Sequence, residues 1–112
     1  MNYHNKKFKA VKNTDNGEVS SETIFYYKQT ENIVTAEYSG GEIISGHLIA
    51  IVDADGCLDM CYHHINTQGE LMTGKCFSKP EILPGGRIRL YEKWQWTSGD
   101  FSEGESIVEE II

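Results

Sequence analysis

The alternation of side chains is plainest between Arg87 and Trp96. Ile88, Leu90, Glu92, Trp94 and Trp96 interleave with Arg87, Arg89, Tyr91, Lys93 and Gln95, the period of two expected of a strand with one buried face. The even-numbered set is the inner one, because a slip of one residue would bury three cations. Glu92 is then a carboxylate on an otherwise apolar face. Similar runs rich in Ile, Val, Tyr and Thr recur along the chain. They are separated by turn signals roughly every ten residues: Asn16-Gly17, Glu31-Asn32, Gly40-Gly41, Asp55-Gly56, Gln68-Gly69, Pro84-Gly85-Gly86 and Ser98-Gly99. These turns divide the chain into eight segments. No stretch keeps apolar residues at helical spacing for three turns. The pattern therefore predicts an all-β fold, an antiparallel up-and-down β-barrel of about eight strands that takes up residues 1–112 as one domain. Both prolines, Pro80 and Pro84, are expected in a single connection.

Turn chemistry sets the expected registers. If 97–101 is a loop and Trp96 faces Ser102, Lys93 meets Glu105 and Arg89 meets Glu109 outside, as opposite charges should across strands. Inside, Trp94 then faces Gly104, Glu92 faces Ser106, and Leu90 faces Val108. A three-residue loop at Thr67-Gln68-Gly69 puts Leu58, Met60, Tyr62, His64, Met72, Gly74 and Cys76 inside, with Asp59, His63, Thr73 and Lys75 outside. A two-residue turn at Gly40-Gly41 puts Val34, Ala36, Tyr38, Ile43, Ser45 and His47 on one face, taken as the inner one. The predicted lumen is lined by Tyr38, Ser45, His47, Tyr62, His64, Cys76, Glu92, Trp94, Trp96 and Ser106. An aromatic wall with a few polar groups suits a small ligand. It equally suits a barrel filled by its own side chains.

Several groups in that wall could carry chemistry. Glu92 beside His64 or His47 would make an acid–base pair, with burial raising the carboxyl's pKa and an imidazolium lowering it. The alternative is a structural carboxylate hydrogen-bonded to Ser106 or Tyr62. Trp94 and Trp96 offer a stacking surface or ordinary core packing. Cys61 and His63 point outward and Cys76 inward, so they cannot share a tetrahedral metal. Cys57 and Cys61 are about 13 Å apart along a strand, also too far. Asp53-Ala54-Asp55-Gly56 begins like a calcium loop but lacks the later acidic positions, and reads as a turn. No phosphate loop, nucleophile elbow or dinucleotide fingerprint is present. Neither a metal nor a cofactor is expected.

Composition narrows the partners. The net charge of −7 disfavours nucleic acid and anionic membranes, which need a basic footprint. No apolar run approaches the ~20 residues of a membrane span. The opening Met1-Asn2-Tyr3-His4-Asn5-Lys6-Lys7 has no hydrophobic signal core, and the three cysteines read as free thiols, so a cytoplasmic location is expected.

Lys93-Trp94-Gln95-Trp96-Thr97-Ser98-Gly99 resembles a late strand of the avidin and streptavidin family, and Val34-Thr35-Ala36-Glu37-Tyr38 resembles an early one. The two runs cover about twelve residues, and their order, the chain length and the eight-strand meander agree with that family. The resemblance implies an avidin-like barrel in which Trp94 lines the ligand site and the Tyr38 hydroxyl bonds a ligand oxygen. It also implies a homo-oligomer, dimer or tetramer. The family's opening Gly-x-Trp has no counterpart here, the serine expected after Tyr38 is Gly40, and the C-terminal aspartate has no match in Val108-Glu109-Glu110-Ile111. The chain is also similar to short bacterial proteins catalogued as N-acetylglutamate synthase. An acetyltransferase needs a glycine loop at a helix N-terminus for the coenzyme's pyrophosphate, whereas Gly85-Gly86 leads into a strand. The expected function is a barrel that binds a small molecule in its lumen without catalysis. The alternatives are a small enzyme using Glu92 with a lumen histidine, and an interaction domain with no ligand.

Overall fold

The computed structural model describes residues 1–111. Eight strands follow one another: β1 (Lys6–Asn13), β2 (Ile24–Thr30), β3 (Ile33–Gly40), β4 (Ile43–Val52), β5 (Leu58–Asn66), β6 (Leu71–Ile82), β7 (Ile88–Trp96) and β8 (Glu103–Ile111). Each pairs antiparallel with its neighbours and β1 pairs with β8, so the sheet closes and no edge is left open. The fold is the all-β barrel that the alternation predicts, and the described residues contain no helix.

The register of β7 and β8 follows the charge pairing. Trp94 faces Gly104, Glu92 faces Ser106, Lys93 faces Glu105, and Arg89 faces Glu109. The Arg89 guanidinium meets the Glu109 carboxylate through Nε at 2.8 Å and through its Nη2 at 2.7 Å. The β5–β6 hairpin turns over Thr67-Gln68-Gly69, with Gly69 at φ 79°, and pairs Met60 with Cys76, Tyr62 with Gly74, and His64 with Met72 on the inner face. Cys61 and His63 lie exposed on the other side.

Two expectations need correction. Pro80 is not in the connection with Pro84; it lies within β6, opposite Leu90 of β7. There β6 has outrun β5, which starts opposite Ser78, so the missing N–H falls where one side lacks a neighbour. The second correction is larger. The β3–β4 turn is at Gly41-Glu42, because Gly40 pairs with Ile43. The register then slips by one residue, so Tyr38 faces Gly46. Ile44 and Ser45 both point outward across this bulge. Ser45 and His47 are therefore on the exposed face, and Gly46, Leu48 and Ala50 take the inner positions.

Side chains close the lower half of the barrel. Tyr3, Phe8 and Tyr27 are fully buried there, with the Phe8 and Tyr27 rings 4.7 Å apart. The segment before β1 turns under the barrel. The Tyr3 hydroxyl donates to the Gly56 carbonyl, and the Tyr3 amide donates to Gln29 Oε1 at 2.8 Å. The opposite end is covered by the connection between β1 and β2, residues 14–23. It contains the Asn16-Gly17 turn but is far longer than a tight hairpin.

Candidate ligand site

The upper half of the lumen is built from alternate residues of β3, β5, β7 and β8. Tyr38, Tyr62, His64, Glu92, Trp94, Trp96 and Ser106 surround a cavity of about 50 Å³ that also touches Cys76, Phe25 and Glu18. A water needs about 10–15 Å³ by the same measure, so the cavity holds a few waters and nothing the size of a typical ligand. Of the predicted lining, Ser45 and His47 alone are outside it, for the register reason given above.

Glycines opposite the rings explain how so many aromatics fit. A β-carbon on Gly46 would lie 2.4 Å from Tyr38 Cε2, one on Gly74 would lie 2.2 Å from Tyr62 Cζ, and one on Gly104 would lie 2.2 Å from Trp94 Cζ2. Each ring comes within contact of the glycine's backbone, where a side chain would otherwise stand. The space that a glycine leaves opposite Trp94 is thus taken by the indole itself. The two indoles meet edge to face with centroids 5.5 Å apart, and His64 lies 5.7 Å from the Trp96 ring.

Glu92 is inside, as the alternation requires, but no histidine reaches it. Its Oε2 accepts from the Ser78 hydroxyl and its Oε1 from the Ser106 hydroxyl, each at 2.9 Å. Burial pushes its pKa up, and the two serine hydrogen bonds pull it back in part. This is the structural arrangement, with Ser78 as a second donor that the sequence did not single out. On β6, opposite Trp94, burial holds the Cys76 thiol well above its usual range, with Glu92 adding to the effect.

The histidine's carboxylate comes from elsewhere. His64, 1% exposed, places Nε2 2.7 Å from Glu18 Oε1 and Nδ1 2.9 Å from the Tyr38 hydroxyl. A carboxylate only accepts, so Nε2 carries the proton toward Glu18, and in a neutral ring Nδ1 accepts from Tyr38. Burial keeps the Tyr38 phenol far above its ordinary pKa, so it stays a neutral hydroxyl. The second oxygen of Glu18 accepts from Asn66 Nδ2 at 3.0 Å. Asn66 in turn organises the β5–β6 turn, its Oδ1 accepting from the Gln68 and Glu70 amides at 3.0 Å.

The end of β1 and the start of the covering segment supply acceptors to the indoles. Trp94 Nε1 donates to Asn13 Oδ1 at 3.2 Å, and Trp96 Nε1 donates to the Asn16 carbonyl at 3.0 Å. With Glu18 on His64, three ring N–H groups end on the chain between Asn13 and Glu18. Sequence reading missed Glu18, Asn13 and Asn66. Asn66 was within reach, since it continues the inward series Tyr62, His64. Glu18 sits in a connection without periodicity, and no local signal marks it.

Comparison with known protein families finds one described as avidin-like protein, which matches residues 1–111. Comparison with curated proteins and with solved structures finds no match.

Proposed function

The chain belongs to the avidin-like protein family, a family of small-molecule-binding barrels, and from that premise we propose that it binds a small molecule in the upper lumen and releases it unchanged. The observation that carries this reading is the cavity bounded by Tyr38, Tyr62, Glu92, Trp94 and Trp96, at the end of the barrel that is covered by a loop rather than by packed rings. Aromatic walls supply apolar area, and the few polar groups fix orientation. Since the cavity holds only a few waters, the ligand enters as residues 14–23 move aside. A catalytic role for Glu92 with a lumen histidine draws no support from the geometry, because its partners are serines.

Biotin itself is not the ligand we propose. The Tyr38 hydroxyl, which the family likeness would offer to a ligand oxygen, is already engaged by His64 Nδ1 at 2.9 Å. Native mass spectrometry of the protein purified from its own cells tests the reading. A bound small mass that leaves on denaturation, with a change in tryptophan emission when it is restored, is the expected result. A bare chain whose emission ignores a broad set of metabolites would count against it.

A homo-oligomer, dimer or tetramer, belongs to the same proposal. Ile33, Ile49 and Ile51 are exposed side by side on the outer face of β3 and β4, where Ile33 pairs directly with Ile51. Such a patch favours contact with another protein surface, and it keeps the interaction-domain reading in play. The subunit count comes from the same mass spectrum. A reducing compartment also fits, with Cys57, Cys61 and Cys76 all free thiols.

A further inference from the structure

Four donors at the rim of the lumen all point at one short stretch of chain: Trp94 Nε1, Trp96 Nε1, His64 Nε2 and Asn66 Nδ2. Two of them, His64 Nε2 at 2.7 Å and Asn66 Nδ2 at 3.0 Å, grip separate oxygens of a single carboxylate, that of Glu18. This is the two-donor, two-oxygen arrangement by which proteins hold a carboxylate ligand. The carboxylate happens to be tethered to the lid. Its side chain is 21% exposed, while the imidazole that holds it is 1% exposed, so the receptor half of the contact is built into the barrel and the carboxylate half is not.

We infer that the lumen takes a small organic carboxylate, and that Glu18 is an internal stand-in for that group, occupying its seat until a ligand displaces it. The inference rests on the lumen-binding reading above. The receptor parts are fixed independently of Glu18. His64 is oriented by the Tyr38 hydroxyl at Nδ1 and by Trp96 at 5.7 Å. Asn66 is held by its own turn. When the Glu18 side chain swings out, it leaves the Nε2–H of His64 buried and unpaired and takes from Asn66 Nδ2 one of its two acceptors, the other being Glu70 Oε1 at 3.1 Å, which is costly unless an incoming acceptor replaces it. An anionic oxygen pair replaces it best, because charge-assisted hydrogen bonds are about twice as strong as neutral ones. The body of the ligand then lies against Trp94, Trp96 and Tyr62, in the space that Glu18 and the present cavity share. A ligand with only donor groups could not occupy the seat. The competition is intramolecular, so the loop sets the affinity as well as the access.

The experiment titrates folded wild type and Glu18→Ala with sodium benzoate and with benzamide, its uncharged analogue, following the indole N–H resonances of Trp94 and Trp96. Removing the stand-in should let benzoate bind at least about tenfold more tightly than to the wild type, and about tenfold more tightly than benzamide binds the same variant. Glu18→Gln keeps the side chain's shape and an acceptor but loses the charge. It should fall between the two, and it serves where Glu18→Ala does not fold. Equal affinities of benzoate and benzamide would overturn the carboxylate inference and leave lumen binding standing. Benzoate binding no better to either variant than to the wild type would overturn the stand-in role. Failure of both probes to move either indole resonance in the folded variants would remove the lumen reading too.

Discussion

The ring of Tyr38 crosses the backbone of Gly46 so closely that a β-carbon at Gly46 would stand 2.4 Å from Cε2. Phe25 is stacked on that ring with centroids 4.8 Å apart and limits its retreat. Gly46→Ala should therefore destabilise the fold by about 1–3 kcal/mol, the usual result of overpacking. It should also break the Tyr38–His64 hydrogen bond. Denaturant unfolding measures the first effect. A cycle with Tyr38→Ala should recover most of the loss, and additivity of the two changes would contradict the contact.

Glu92 predicts a dependence of stability on pH. Its pKa is raised by burial, so the folded protein keeps that proton to higher pH than the unfolded chain does. The stabilising contribution is complete below the unfolded glutamate's pKa and is lost as pH rises through the folded value. Glu92→Gln, whose amide can still meet Ser78 and Ser106, should remove that decline. Melting temperatures of the two proteins should converge at low pH and diverge above it, with the variant higher. A wild type that instead gains on the variant with rising pH would refute the assignment.

Asn66 is expected to matter beyond its size. Its Oδ1 holds two turn amides, and its Nδ2 holds Glu18 and Glu70. Asn66→Ala leaves these groups without partners and should cost about 1–3 kcal/mol. Amide hydrogen exchange should accelerate in two places far apart in sequence, at Gln68–Glu70 and around Glu18. Acceleration in the turn alone would mean that Asn66 does not help hold the lid.

The faces of β5 and β6 can be read chemically. Cys61 is exposed, Cys57 half-buried and Cys76 buried with a raised pKa. A thiol reagent should modify Cys61 first in the native protein and reach Cys76 only on unfolding. Early modification of Cys76, judged by peptide mapping, would place β6 in the other register.

Much of the barrel was legible because strands carry their burial in a period of two. Ile88 to Trp96 could face only one way without burying Arg87, Arg89 and Lys93, and the opposite charges of β8 then fixed its partner. The β3–β4 hairpin resisted the same treatment. Gly40-Gly41 offers two turn positions one residue apart, and the choice between them, together with the bulge at Ile44 and Ser45, depends on where the Tyr38 ring finds a glycine to lie on. That is a contact across strands, and it moved Ser45 and His47 out of the lumen.

By itself, then, the sequence determined the all-β class, the closed eight-strand order, the two correct hairpin registers and the inward-facing Tyr38, Tyr62, His64, Glu92, Trp94, Trp96 and Ser106, because hydrophobic alternation and turn chemistry act over neighbouring residues. The β7–β8 register also set Ser106 opposite Glu92 and Glu109 opposite Arg89, but only the tertiary structure decided the polar contacts made outside that ladder. It added Ser78 as a second donor to Glu92, and gave His64 to Glu18, a residue from an aperiodic loop that folds back over the barrel mouth. Hydrogen bonds are short and directional, so their pairing is set by where the closed sheet finally carries each side chain, and a linear pattern holds no record of that.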